Sequence, residues 1–295
     1  MILRVDDVAF RYRSVPVLDG VSFSLNRGEV LAVLGNNGAG KSTLIKVINK
    51  ILRPQRGTAY VDGKDVRSLT LLEIAQKVAY VSQRNESPRF TVFDAVLLGR
   101  KPYIKWDVTE RDIQIVEDVL RRMRLEDYAL RYLTELSGGE LQKVVIARAL
   151  AQEPEVLLFD EPTNNLDLRN QLEVLSIMRD LVKERKIAGV VVLHDLNLAL
   201  RFADKFLFLK DRKVYAAGGP EVMAPEVIRA VYGVSVVVTH VSGIPVIVPL
   251  EAEQPSLPER EGASIRGDGA EDEAKLQAAA AETAMSALDG RRRRA

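Results

Sequence analysis

Three observations in the chain predict an α/β fold with a mainly parallel sheet. Short apolar runs alternate with helical patterns along most of its 295 residues, the arrangement that βαβ units produce. One run, Val30–Leu34, leads directly through a glycine-rich segment into a helix that opens at Lys41. Another, Val156–Phe159, ends in the acidic pair Asp160-Glu161.

Taken in order, Leu3–Tyr12 and Val21–Leu25 are expected as antiparallel strands against the side of the sheet that carries the glycine-rich segment. Val30–Leu34, Val78–Val81, Val156–Phe159 and Val190–Leu193 are the parallel strands, and Phe206–Leu209 with Lys213–Ala216 closes the set as a hairpin. Between Asn85 and Leu136 the pattern is helical, with Thr91–Leu98 and Glu110–Met123 the clearest helices. No strand pattern interrupts them, which predicts a helical subdomain inserted into the α/β core at about residues 84–150. A small appendage at residues 220–250 combines a helix, Pro225–Tyr232, with a hairpin of Val234–His240 and Ile244–Val248 turned at Ser242-Gly243. The folded domain thus covers residues 1–250. Residues 251–295 contain no aromatic side chain and are rich in Ala, Glu, Gly and Arg, so a disordered tail is expected there. Its terminal Arg291–Arg294 is expected to be solvated.

Composition sets the outer limits. With 47% hydrophobic and 28% charged residues the chain suits a globular protein of one large or two small domains. A net charge of +1 gives no global field to recruit nucleic acid. The absence of cysteine rules out disulfides, thiol catalysis and cysteine metal sites. No apolar run reaches the ~20 residues that span a bilayer, and the first residues lack the charged and apolar regions of a signal peptide. A cytoplasmic protein is expected, with any membrane role exercised through partners.

The chemistry begins at Gly35, Asn36, Asn37, Gly38, Ala39, Gly40, Lys41, Ser42 and Thr43. Strand, glycine turn and helix together make a phosphate-binding loop. Glycines let successive N–H groups converge on phosphate oxygens, and the helix start adds its positive dipole end. Lys41 would reach the β- and γ-phosphates of a nucleotide, and the Ser42 hydroxyl would sit on Mg²⁺.

A second phosphate-facing segment follows at Leu136-Ser137-Gly138-Gly139-Glu140-Leu141-Gln142. Ser137 and Glu140 have capping-box spacing. Capping does not ask for Gly138 and Gly139 in the first turn, where they weaken the helix. They suit a phosphate approaching bare N–H groups. Two such ends on one chain suggest a head-to-tail dimer, with Lys41 facing Ser137 of a second copy.

Leu-Ser-Gly-Gly-Glu-Leu-Gln resembles the signature of the ABC-type ATPases, and the resemblance runs from the first strands to about Leu250. It implies a P-loop NTPase, RecA-like core, with ATP and Mg²⁺ bound between two copies. By that resemblance Asp160 holds Mg²⁺ with Ser42, Glu161 is the general base, and His194 contacts the γ-phosphate. Gln83 touches Mg²⁺ and the attacking water, and hinges the helical insertion. Asp167, in Asn164-Asn165-Leu166-Asp167, aligns the partner's site. Tyr12, in Phe10-Arg11-Tyr12, resembles the aromatic that stacks on adenine, the other reading being a strand residue packed inward. Asn36 stands where proline is common, and His240 has no motif around it and is read as structural.

Within the family the chain looks like the ATP-binding subunits of iron–siderophore, haem and cobalamin importers. That likeness rests on Gly99-Arg100-Lys101-Pro102 after Thr91-Val92-Phe93-Asp94, on His194-Asp195-Leu196-Asn197-Leu198-Ala199, and on Tyr232-Gly233 with Gly243-Ile244-Pro245. It implies a homodimer, a separate permease dimer, an extracytoplasmic substrate-binding protein, and a peripheral location on the inner face of the cell membrane. A soluble ABC ATPase of the iron–sulfur assembly type, or an exporter subunit, is the alternative.

Overall fold

The computed structural model describes residues 1–82 and 89–252. The chain opens with β1 (Leu3–Tyr12) and β2 (Val15–Leu25), which pair antiparallel. Next come β3 (Val30–Leu34), α1 (Lys41–Ile48), β4 (Arg56–Val61), β5 (Lys64–Asp65), α2 (Leu71–Lys77) and β6 (Val78–Val81). Helices α3 (Val92–Leu97), α4 (Glu110–Met123) and α5 (Gly138–Ala151) lie between β6 and β7 (Val156–Asp160). They are the inserted helical region. Then follow α6 (Leu168–Arg185), β8 (Ala188–Val192), α7 (Leu196–Phe202), β9 (Lys205–Lys210) and β10 (Lys213–Gly218). The chain ends, within the described residues, in α8 (Pro225–Tyr232), β11 (Val234–Val241) and β12 (Ile244–Ala252). The tail expected beyond that strand lies outside them.

The central sheet has the order β10-β9-β3-β8-β7-β6, parallel throughout except for β10 on β9. Strands β3, β7 and β8 are buried at every residue, which is why they read as unbroken apolar runs, whereas the edge strand β10 alternates and has no buried residue. Val30, Ala32 and Leu34 of β3, with Leu157 and Phe159 of β7, point into a core shared with α3–α8. Leu31 and Val33, with Val156 and Leu158, point into a second core, shared with α1 and the antiparallel strands. One sheet therefore divides the molecule into two apolar layers.

The antiparallel sheet is larger than expected: its order is β2-β1-β4-β5, and β2 starts at Val15. The two extra strands give a weak sequence signal. In β4 the adjacent Thr58 and Ala59 are both buried, so alternation fails. Gly57 has φ +75°, and the register against β1 shifts between Asp6 and Ala9. A bulge of this kind hides a strand from a period-2 reading.

The insertion is fastened by a buried ion pair. Arg100, just after α3, is 3% exposed and donates through Nε to Asp112 Oδ1 at 2.9 Å. Its Nη1 donates to the Ala151 carbonyl at the end of α5 and to Glu153 just beyond it, both at 2.8 Å. Asp112 in turn closes the capping box of α4 with Thr109. The Thr109 hydroxyl and the Arg100 guanidinium hold the Asp112 carboxyl below its usual range. Gly99-Arg100 thus has a structural role. Among the described residues no helix is long and apolar enough to cross a membrane.

Candidate functional site

Register places the site. Val33 of β3 pairs with Val192 of β8, Val192 with Asp160 of β7, and Phe159 with Val81 of β6. The carboxyl ends of four parallel strands therefore stop at one level. The segments after them, led by Gly35, Glu161, Leu193 and Ser82, emerge along one edge, where open α/β sheets bind ligands.

The glycine-rich segment forms the loop between β3 and α1. Gly40, at the N-cap of α1, has φ +101°. A Cβ there would lie 2.7 Å from Leu18 Cδ2 and 3.0 Å from the Val17 carbonyl, so only glycine fits. No side chain caps α1, which leaves its first N–H groups facing outward from the loop. Lys41 is 5% exposed, and its Nζ donates to the Gly35 carbonyl at 2.7 Å and the Asn36 carbonyl at 3.0 Å. Burial holds the ammonium below the usual lysine pKa, against the pull of Glu161 and Asp160. A cleft of about 300 Å³ runs over this loop, lined by Tyr12, Val17, Asn37, Gly38, Lys41, Ser42 and Glu161 among others. Tyr12 is 45% exposed and meets Phe10 edge-on at 4.8 Å.

The acidic pair arrives from β7. Asp160 accepts from Ser42 Oγ at 2.7 Å and from the Tyr80 hydroxyl at 3.0 Å, one on each carboxylate oxygen. Burial and Asp160 push the Tyr80 phenol well above its usual pKa, so it stays a donor. Glu161 stands in the left-handed region at φ 54°, uncommon for a non-glycine residue. Its Oε1 lies 2.7 Å from His194 Nε2, and its Oε2 accepts from Asn164 Nδ2.

The remaining residues form a second group. Ser137 is the N-cap of α5. Glu140 Oε2 accepts from its N–H at 2.8 Å and from its hydroxyl at 2.7 Å. The Ser137 hydroxyl draws the Glu140 carboxyl below its usual pKa. Asp167 is the N-cap of α6, accepting from the Asn170 N–H at 2.8 Å and from Asn170 Nδ2 at 3.0 Å. Asn170 links the two caps: a Cβ on Gly139 would lie 2.5 Å from Asn170 Oδ1. A glycine at 139 therefore also leaves room for the Asn170 side chain. At Gly138 the nearest atom to a Cβ would be Leu166 Cδ2, at 3.9 Å, and the residue is exposed. Ser137, Gly138, Gly139 and Asp167 do not line the cleft over Lys41.

The fold thus brings Tyr12, the loop, Asp160, Glu161 and His194 together, and sets the second group apart. Gln83 lies outside the described residues, and His240 is exposed on β11. Sequence reasoning missed Tyr80, Asn164 as a partner of Glu161, and Asn170. The donor set fits Mg²⁺, which takes hard oxygen ligands and keeps several non-protein ones. Ser42 Oγ and Asp160 Oδ1 supply two such oxygens 2.7 Å apart, and no group of three or more His, Cys, Asp or Glu that could hold a metal occurs among the described residues.

Residues 18–164 match the family model described as ABC transporter. Over 250 residues the chain is 62% identical to an uncharacterized ABC transporter ATP-binding protein of Methanocaldococcus jannaschii, covering 85% of this chain and 98% of that one. It is 39% identical over 240 residues to a cobalamin import ATP-binding protein of Halobacterium salinarum, covering 81% of this chain and 60% of that one. It is 34% identical over 253 residues to a probable siderophore transport system ATP-binding protein of Bacillus subtilis, covering 84% and 92%. Among solved structures, an ABC transporter ascribed to the metal-chelate type, in an inward-facing conformation, superposes with a TM-score of 0.75 at 32% identity, covering 85% of this chain and 98% of that one. A dimeric post-hydrolysis ATP-binding cassette bound to ADP and Pi gives 0.65 at 28% identity, covering 74% and 99%. A phosphate loop between β3 and α1, a carboxylate pair ending β7 and these likenesses agree: the chain belongs to the ATP-binding subunits of ABC transporters, a family that hydrolyses ATP.

Proposed function

We propose that this chain is the ATP-hydrolysing subunit of an ABC importer, working as a head-to-tail homodimer that sandwiches two ATP molecules. The observation that carries the reading is the division of the site. The loop, Tyr12 and Glu161 line one cleft, with Asp160 bonded to Ser42 and His194 to Glu161, whereas Ser137, Gly138, Gly139 and Asp167 line none of it. A second copy turned head to tail would supply that missing wall to each cleft.

In this reading the loop after Gly35 wraps the phosphates with backbone N–H groups, the Gly35 N–H itself being held by Tyr232, and Lys41 turns a third N–H to a γ-phosphate oxygen. Tyr12, half-exposed beside the loop, stacks on adenine. Ser42 and Asp160 would hold Mg²⁺, which neutralises phosphate charge when bound. Glu161 takes the proton of the attacking water, its carboxylate held by Asn164 once His194 turns from it to the phosphate. His194 donates to the γ-phosphate as charge builds there. Gln83 senses the nucleotide and carries the change to the insertion. ATP closes the dimer; hydrolysis removes the γ-phosphate contacts and releases it.

Import, rather than export, is supported by the relatives named for cobalamin and siderophore transport. The partners are then a permease dimer, met by the groove between insertion and core, and an extracytoplasmic binding protein. Trp106, 98% exposed on the insertion, is an aromatic that such a partner would cover. The location is the cytoplasmic face of the membrane. Ferric siderophore is the first cargo, ahead of cobalamin and haem.

Size-exclusion chromatography of Glu161→Gln with ATP and Mg²⁺ tests the sandwich. The expected result is an ATP-containing dimer without turnover, and a monomer at saturating ATP would overturn it. Uptake into proteoliposomes holding the cognate permease and binding protein, compared for ferric siderophore, cobalamin and haem, tests direction and cargo. Efflux from the vesicles would overturn import.

A further inference from the structure

The helix and hairpin after β10 touch the nucleotide site at two separate places. At the end of α8 the Tyr232 hydroxyl accepts from the Gly35 N–H at 2.9 Å, the first N–H of the phosphate loop. One residue on, Asn36 Nδ2 donates to the Val231 carbonyl at 2.8 Å. The Tyr232 ring packs edge-on to Phe208 of β9, with centroids 6.5 Å apart, so packing aims the hydroxyl. Burial pushes the phenol up to about 12, leaving it neutral while it accepts from Gly35. At the other end, Ile247 of β12 exchanges two hydrogen bonds with Asn197: its N–H donates to Oδ1 at 2.7 Å, and its carbonyl accepts from Nδ2 at 3.2 Å. Asn197 lies in the first turn of α7, three residues after His194, and Asp195 caps that turn.

From this geometry we propose that the appendage is a clasp that sets the phosphate loop against the His194 segment. Tyr232 positions the loop, and Asn197 positions the helix behind His194. The two hold-points are joined through α8, β11 and β12, whose Ile228, Val231, Val236 and Ile247 are buried in the same core as β3. A rigid piece bonded to both sides fixes their relative position more firmly than two loop ends do alone. Asn36 serves this clasp: its amide reaches Val231, a bond that a proline side chain could not make. The clasp rests on the assignment of Gly35–Thr43 and His194 to the ATP site.

The two ends should fail differently. Tyr232→Phe keeps the ring and removes one acceptor from a part-buried N–H. The loop then loosens before ATP arrives and is re-formed by the phosphates, so the KM for ATP rises about three- to tenfold, the worth of one hydrogen bond. The kcat stays within about twofold. Asn36→Ala should behave like Tyr232→Phe, and the double variant should be little worse than either. Asn197→Ala should leave KM within about twofold and lower kcat about fivefold or more, because it frees the segment behind His194 and not the loop. Steady-state ATPase kinetics on the full chain, with melting curves to confirm folding, read both effects. Tyr232→Phe with a lowered melting temperature but unchanged KM would make the contact merely structural and overturn the clasp. So would equal kinetic effects of the Tyr232 and Asn197 variants. If Lys41→Ala retains parental ATP affinity, the site assignment itself fails; if it does not, a null Tyr232→Phe result counts against the clasp alone.

Discussion

His194 Nε2 and Glu161 Oε1 lie 2.7 Å apart although 33 positions separate them, because β7 and β8 are neighbours and end at the same level. Asn164 holds the other Glu161 oxygen. The candidate base is gripped on both sides, at a backbone conformation (φ 54°) that non-glycine residues seldom adopt.

Replacing His194 with Ala should lower kcat about 10²-fold or more while ATP affinity stays within a few fold, since phosphate binding rests on the loop. Single-turnover hydrolysis alongside equilibrium ATP binding separates the two. Loss of affinity in step with kcat would place His194 in ground-state binding instead.

Arg100→Ala should destabilise the fold by about 3–5 kcal/mol, the usual result of stranding one member of a buried ion pair. It would leave Asp112 without its guanidinium partner and the Ala151 carbonyl without its donor. Arg100→Lys should recover only part of this, because an ammonium cannot reproduce the fork. Urea unfolding measures it, and a loss under about 1 kcal/mol would show that the insertion is held by other contacts.

The two signature glycines should part company. Gly139→Ala drives a Cβ onto Asn170 and should cost about 1–3 kcal/mol of stability. Asn170→Ala in the same chain should restore most of it. Gly138→Ala meets open space, so the fold should be unaffected and any fall in ATPase activity would report on what approaches that face. Equal destabilisation by both alanines would contradict the assignment of Gly139 to intramolecular packing.

Asp65 predicts an acid limb. The Arg67 guanidinium, with Thr58, holds its carboxyl down at about 2, against an ordinary aspartate value of 3.8. A carboxylate with a lowered folded-state pKa adds stability above the unfolded value, and that stability is lost as pH falls through the folded one. The stability gap between the parent and Asp65→Asn should therefore be constant above about pH 5 and close between about pH 4 and pH 2. Urea midpoints across that range check it. A gap that does not change with pH would remove Asp65 from the acid response.

What the sequence determined by itself was the local chemistry: the parallel strands, the loop from Gly35 to Thr43, the capping box at Ser137 and the acidic pair at the end of β7. Each is written in contiguous residues whose period or spacing follows from backbone geometry, so each can be read without knowing what lies across from it. Tertiary structure alone decided which groups hold those parts in place. Tyr80 reaches Asp160 across 80 positions and Tyr232 reaches Gly35 across 197, while Asn170 occupies the space that a side chain at position 139 would enter. β4 escaped notice for the same reason, being a strand by virtue of its partner β1 and not of its own alternation. A hydrogen bond between distant segments leaves no period in either one, because its geometry exists only after strand order and register have brought the two segments together.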